Sequence, residues 1–248
     1  MAALPNPIRA SESGGSEPQP FAQRGRPSAD RAARTFKPRG RMTPSLRTSL
    51  ANSAPVLLIP PAVEFLDHRR EFGRTAPIVV DLGFGMGDST IALAQQHHDW
   101  NVLGIDVHLP GIARVAEKAI GSGLTNIRLI AADAIDVLRY MVAPDSLAVV
   151  QIAFPDPWPK PSQRHRRLVD DGFVALLASR LGPAGELRLA TDIDDYAEQM
   201  LAALQASTML RNRYVRYAAR DADRPVTKFE RRALAAGRTI HDLAFVRN

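Results

Sequence analysis

From residue 77 onward the chain alternates short apolar runs with stretches of helical periodicity, and this alternation constrains the fold more than any other feature. Ile78-Val79-Val80-Asp81-Leu82 is an apolar run that ends in glycines, the pattern of a buried strand. The spacing predicts further strands over 101–107, 127–131, 147–154 and 186–190, and helices over 88–98, 110–119, 134–141, 169–180 and 194–204. Pro110 suits a first helical turn, and Gly182-Pro183 suits a helix end. Strands joined through helices pair in parallel, and the helices then cover both faces of the sheet. The expected fold is therefore α/β, with a mostly parallel sheet. On such sheets ligands bind outside the carboxyl ends of the strands, where the strand order reverses. The residues that carry chemistry should follow the strands directly.

Composition narrows the chemistry. A chain of 248 residues suits one sizeable core plus a tail. It has no cysteine, which excludes disulfides and thiolate metal sites, and its six histidines are scattered or adjacent (His97, His98), so no metal site is expected. No apolar run approaches the ~20 residues of a membrane helix, and the N-terminus has no apolar core like that of a signal peptide. A soluble, cytoplasmic protein is expected. Charge is unevenly placed: residues 1–50 hold nine Lys/Arg against three Asp/Glu, 51–210 hold 13 against 19, and 211–248 hold 10 against four. Basic ends around an acidic middle suit a polyanionic partner, although a basic tail kept for solubility has the same composition. Residues 1–33 read as a disordered tail. Residues 34–50 read as a basic segment in which Arg34, Lys37, Arg39 and Arg41 surround Phe36, a composition suited to RNA. Residues 51–248 read as a single domain.

The first strand runs into Gly83-Phe84-Gly85-Met86-Gly87-Asp88. Glycines let the backbone turn sharply and approach a ligand closely. A dinucleotide loop wants Gly or Ala at the sixth position, and Asp88 there is a poor neighbour for a pyrophosphate. Asp81 just before the loop suits a cationic amino group, which S-adenosylmethionine carries. The motif alone also fits a tight structural turn. Asp106 lies 19 residues after Gly87, the spacing of an acid that binds ribose hydroxyls. Asp133, after the third strand, suits an adenine amine or a helix N-cap, or both.

The fourth strand ends in Phe154-Pro155-Asp156-Pro157-Trp158-Pro159-Lys160. Prolines at alternate positions exclude a helix and hold Asp156 on a stiff segment. A carboxylate held there can accept from N1–H and the exocyclic amine of guanine, while Trp158 or Phe154 stacks on the base. Lys160, Arg164, His165, Arg166 and Arg167 would then meet phosphates. A rigid loop with its aromatics in the core is the plainer alternative. Asp192, after the fifth strand, faces the same mouth or caps the helix through Tyr196. Thr227-Lys228-Phe229-Glu230 combines hydroxyl, cation, aromatic and acid, although alone it also reads as a surface turn.

Phe154-Pro155-Asp156-Pro157-Trp158-x-Lys160 followed by Arg164-His165-x-Arg167 resembles the bacterial tRNA (guanine-N7)-methyltransferase family. Supporting matches are Gly83 through Gly87, Gly104-Ile105-Asp106-Val107-His108, Thr191-Asp192 with Tyr196, and Arg224-Pro225-Val226-Thr227-Lys228-Phe229-Glu230. The resemblance implies a Rossmann-like class I methyltransferase sheet. It implies methyl transfer from S-adenosylmethionine to N7 of guanosine 46 in the tRNA variable loop. It also implies cofactor contacts at Asp81, Asp106, Asp133 and Asp156 beside the glycine loop (Gly83, Gly85, Gly87), with Asp156 at the catalytic centre. Substrate contacts would fall on Lys160, Asp192 and Thr227, Lys228, Phe229 and Glu230. The chain departs from the family at Arg231-Arg232, where Arg-Gly is usual, at His241, where Trp is common, and at Asp81 and Asp106, which are often Glu. Two other readings of the residues are an NAD-type oxidoreductase and a non-catalytic tRNA-binding protein on the same scaffold.

Overall fold

The computed structural model describes residues 43–222 and 224–248. The expected tail, 1–33, and the cationic cluster from Arg34 to Arg41 lie outside the described residues. Helix α1 (Pro44–Leu57) and a short α2 (His68–Phe72) precede β1 (Ile78–Leu82). Then follow α3 (Asp88–Gln96), β2 (Asn101–Asp106), α4 (Leu109–Gly121), β3 (Ile127–Ala131), α5 (Ala134–Tyr140) and β4 (Leu147–Ala153). A 3-10 turn (Pro161–Arg166) leads to α6 (Asp171–Arg180), β5 (Leu181–Thr191), α7 (Asp194–Ala206) and β6 (Leu210–Asn212). The chain ends with α8 (Lys228–Ala235) and β7 (His241–Arg247).

The seven strands form one sheet in the order β3-β2-β1-β4-β5-β7-β6. β1 to β5 are parallel, and β7 runs antiparallel between β5 and β6. The chain steps from β1 outward to β3 and then returns to β4 on the other side of β1. The reversal of strand order therefore lies between β1 and β4, where a ligand crevice is expected. Val80, Leu103, Ile130, Val150, Leu187 and Phe245 pack one face of the sheet against α5, α6 and α7. Val79, Val102, Leu129 and Val149 pack the other against α3 and α4.

β5 begins five residues earlier than its apolar pattern suggests. Its register against β4 shifts between Leu147 and Val149. Gly185 sits so close there that a Cβ would lie 2.8 Å from the Gly182 carbonyl oxygen and 2.9 Å from that of Leu147. An irregular start of this kind has no period-2 signal. α6 begins after Asp170, whose carboxylate accepts from Phe173 N–H, and not at Val169, which is buried ahead of the helix.

α1 is docked on the domain. Leu57 is buried with Val79 and Ile112, Leu50 packs on the same cluster, and Ile59 N–H donates to Leu129 O at 2.9 Å. The boundary expected at 50/51 thus falls inside α1. No helix among the described residues is long and apolar enough to cross a membrane.

Candidate active site

Asp81, near the end of β1, is buried on the face that carries Val79. Its Oδ2 accepts from Ser89 Oγ at 2.6 Å and Thr90 Oγ1 at 2.8 Å, both in the first turn of α3, and Oδ1 accepts from Gln151 Nε2 at 3.5 Å. Burial pushes its pKa up to about 6, against the opposing pull of those three hydrogen bonds. An acid in this position is poised to take a cation, because a positive ligand offsets the cost of burying the charged form.

The loop after β1 turns through left-handed backbone at Gly83 (φ 68°), Gly85 (φ 58°) and Gly87 (φ 77°). A Cβ at Gly87 would lie 1.8 Å from Val115 Cγ2, so this glycine lets α4 pack on the loop. At Gly83 and Gly85 a Cβ would meet no protein atom within 4 Å and would project toward the cavity they line. Asp106 pins this loop to β2: Gly85 N–H donates to Oδ2 and His108 N–H to Oδ1, each at 2.7 Å. Each oxygen keeps a lone pair for a further donor. Asp133 caps α5 by accepting from Ile135 N–H at 2.9 Å, the capping role its position allowed.

Beyond β4, the proline-rich loop is strained at Phe154 (φ 54°) and Trp158 (φ 40°). Side chains rarely adopt such backbone, and each instance costs about 1–3 kcal/mol unless the surroundings enforce it. Arg167 enforces it. It is 1% exposed, donates from Nε to Pro157 O at 2.9 Å, pairs with Asp195 at 2.7 Å, reaches Gln199 at 2.9 Å and lies over the Tyr196 ring. Arg167 is therefore a buried brace, and the expectation that it meets a phosphate is corrected. Arg164 pairs with Asp195 at 2.8 Å, and the Arg166 guanidinium sits 3.9 Å from the Trp158 ring centroid. Of the two aromatics, Phe154 lines the cavity. Asp156 and Lys160 are exposed on the same loop.

α8 closes the site. Thr227 Oγ1 caps it by accepting from Glu230 N–H at 3.2 Å. Glu230 is fully buried, held by Arg220 Nε at 2.7 Å and Arg224 at 2.8 Å. Arg224 also reaches Asp242 of β7 at 3.0 Å and lies under the Phe154 ring. The Glu230 side chain thus anchors the helix from behind, while Lys228 is exposed and Phe229 is 60% exposed. Asp192 is held by Arg238 Nε at 2.7 Å, and the N-cap position of α7 is Ile193, without a side-chain cap.

A cavity of about 220 Å³ brings together Asp81, Gly83, Gly85, Gly87, Phe154, Thr227, Lys228 and Phe229. Asp106 stands behind it through Gly85. Asp133, Asp156, Lys160, Asp192 and Glu230, which follow β3, β4 and β5 or lie on α8, do not line it. Of the bracing residues, Arg167 and Arg224 stand in the two motifs of the resemblance, whereas Arg220 and Asp242 carry no sequence signal. No group of three or more His, Cys, Asp or Glu among the described residues could hold a metal ion.

A parallel sheet reversing between β1 and β4, a glycine turn over a buried acid and a second acid at the end of β2 define a class I methyltransferase fold. Two solved structures share it: the 16S rRNA methyltransferase KamB (TM-score 0.56, 16% identity, 77% of this chain and 98% of that one) and the antibiotic-resistance methyltransferase Kmr (TM-score 0.53, 16% identity, 77% and 97%). Residues 75–243 match the family described as "Putative methyltransferase". Among curated relatives, the tRNA (guanine-N(7)-)-methyltransferase of Paraburkholderia xenovorans (strain LB400) is 45% identical over 216 residues, 87% of this chain and 83% of its own. That of Bordetella pertussis (strain Tohama I) is 44% identical over 209 residues, 84% and 82%. The chain belongs to the tRNA (guanine-N7-)-methyltransferase family.

Proposed function

We propose that this protein transfers a methyl group from S-adenosylmethionine to N7 of guanosine 46 in tRNA, in the cytoplasm. The observation that carries the reading is the convergence of the glycine loop, the Phe154–Lys160 loop and α8 on one cavity, in a chain of this family. Asp81 suits the donor's ammonium, Gly83 and Gly85 leave its amino-acid arm room, and the free lone pairs of Asp106 suit ribose hydroxyls. When bound, the donor supplies a methyl group on a cationic sulfur, which the in-plane lone pair of guanine N7 takes by in-line displacement. N7 carries no proton, so no residue needs to act as a general base. The chain's work is positioning: Asp156 accepts from the guanine N1–H and N2 amine, and Phe154 offers a stacking face. Lys160 and Lys228 meet phosphates. Incubation of tRNA with labelled donor, followed by mapping of the modified base, tests this directly; a tRNA lacking G46 should take no label. Label on another base, or none on any tRNA, removes the assignment.

Two binding experiments probe the donor side. Asp106→Ala should weaken S-adenosylhomocysteine by about 1–3 kcal/mol, because a ribose hydroxyl loses its acceptor and the loop loses its tether. Unchanged affinity in calorimetry would take Asp106 out of the site. Donor affinity should also fall as pH drops through about 6, where Asp81 takes a proton and stops attracting the ammonium. The sign for stability is opposite: the raised pKa means the native state holds the extra proton between about 4 and 6, so the contribution of Asp81 to stability declines as pH rises through that window. Asp81→Asn should flatten the pH dependence of donor binding; a wild-type Kd constant from pH 5 to 7.5 would contradict the ammonium contact.

A further inference from the structure

Five arginines surround α8, and four of them are committed to the chain itself. Arg220 and Arg224 hold Glu230, Arg231 donates to Val226 O at 2.7 Å, and Arg238 pairs with Asp192. The Arg232 guanidinium has no hydrogen bond or ion pair among the described residues, yet Arg232 lines the cavity beneath α8. The anchoring of Glu230 fixes the rotation of the helix, and with it the face that Arg232 presents. The glycine loop and Asp81, whose carboxylate Ser89 and Thr90 hold in place, line the same cavity. Asp88, the other acid on the wall, is already engaged by Arg114 at 3.3 Å and Lys118 at 3.4 Å. The cavity therefore sets two cations of one helix, Lys228 and Arg232, against one buried acid on a strand. That arrangement matches a zwitterionic α-amino acid, with the ammonium toward Asp81 and the carboxylate toward α8.

We propose that Arg232 binds the α-carboxylate of the methyl donor, making it a specificity-determining residue for the amino-acid end of the cofactor. This rests on the methyl-donor reading above. Lys228 lies four residues earlier on the same face, but a guanidinium offers two parallel N–H groups to a carboxylate, whereas an ammonium is a point charge. The competing ligand for an unpaired cation here is a tRNA phosphate, which shares the anionic chemistry and is separated by the test.

The test uses the full chain, S-adenosylhomocysteine, and its decarboxylated analogue, which keeps the adenosine, thioether and amine and lacks only the carboxylate. Arg232→Gln should weaken S-adenosylhomocysteine roughly 10-fold or more and leave the decarboxylated analogue unchanged. Arg232→Lys should retain only part of the affinity, because it keeps the charge and loses the paired N–H donors. Wild type should also prefer the carboxylated ligand, and that preference should vanish in Arg232→Gln. Equal weakening toward both ligands in both variants overturns the proposal. So does an unchanged affinity for S-adenosylhomocysteine with a tRNA salt slope shallower by about 1, which would assign Arg232 to a phosphate. Wild-type protein that binds neither ligand would instead remove the methyl-donor reading itself.

Discussion

Asp156→Asn is expected to slow methyl transfer to tRNA roughly 30- to 1000-fold while the protein folds normally. The guanine edge presents donors at N1 and N2, and a carboxylate accepts both. An amide offers one acceptor and one NH₂, which would face a donor. That mismatch forfeits a charge-assisted hydrogen bond and leaves polar groups poorly paired, at a cost of about 2–4 kcal/mol. The fold is spared because Asp156 is exposed on its loop, and Arg167 holds that loop at the neighbouring Pro157 carbonyl. Donor affinity should fall less than turnover, since Asp81 and Asp106 are untouched. N7 has no proton for Asp156 to remove, so kcat at saturating donor should show no essential-base inflection near neutral pH. Turnover close to wild type, at saturating donor, would sink the role of Asp156 as the guanine holder.

Arg224→Met should give the largest loss of stability. Arg224 is buried and bridges Glu230 of α8 and Asp242 of β7, both also buried. Replacing it leaves two carboxylates with less compensation in a desolvated layer. Breaking one side of such a network costs about 3–5 kcal/mol. Burial already raises the pKa of Asp242, and Arg224 is what opposes that rise. For a domain of this size each kcal/mol moves Tm by about 2–4 °C, so a drop of roughly 6–20 °C is expected. Arg224→Lys should recover only part of it, because an ammonium cannot span both partners in the same geometry. A Tm within a degree or two of wild type for Arg224→Met would show that the network carries little energy. Activity should fall alongside stability, as Arg224 also lies under Phe154 and its partner Glu230 anchors α8.

The parallel half of the sheet was legible because its strands are buried on both faces, and such a strand is apolar over most of its length. β1, β2 and β4 are such runs, and the residues at or just after their ends, Gly83 to Gly87, Asp106 and Phe154, mark the ligand edge in the sequence itself. The short β6 and the antiparallel β7 escaped that logic. β7 exposes part of each face and is only seven residues long, so its alternation is brief and interrupted by Asp242. α8 escaped too, because it is only eight residues long and buries just Glu230 and Ala233, while its larger apolar residues, Phe229 and Leu234, stay exposed.

Local chemistry along the chain determined which residue types stand at the carboxyl ends of the strands, and therefore what class of ligand they suit. The tertiary structure alone decided which cations serve the fold and which face the cavity. Arg164, Arg167, Arg224 and Arg232 are equivalent in the sequence, each a basic residue in a basic motif. Their differences lie in partners distant along the chain: Asp195 for Arg164 and Arg167 and Asp242 for Arg224, while the Arg232 side chain has none among the described residues and lines the cavity. A charge is spent on structure when folding brings an acid within reach of it, and remains available to a ligand when folding does not. That distinction depends on distances between segments that no local pattern encodes.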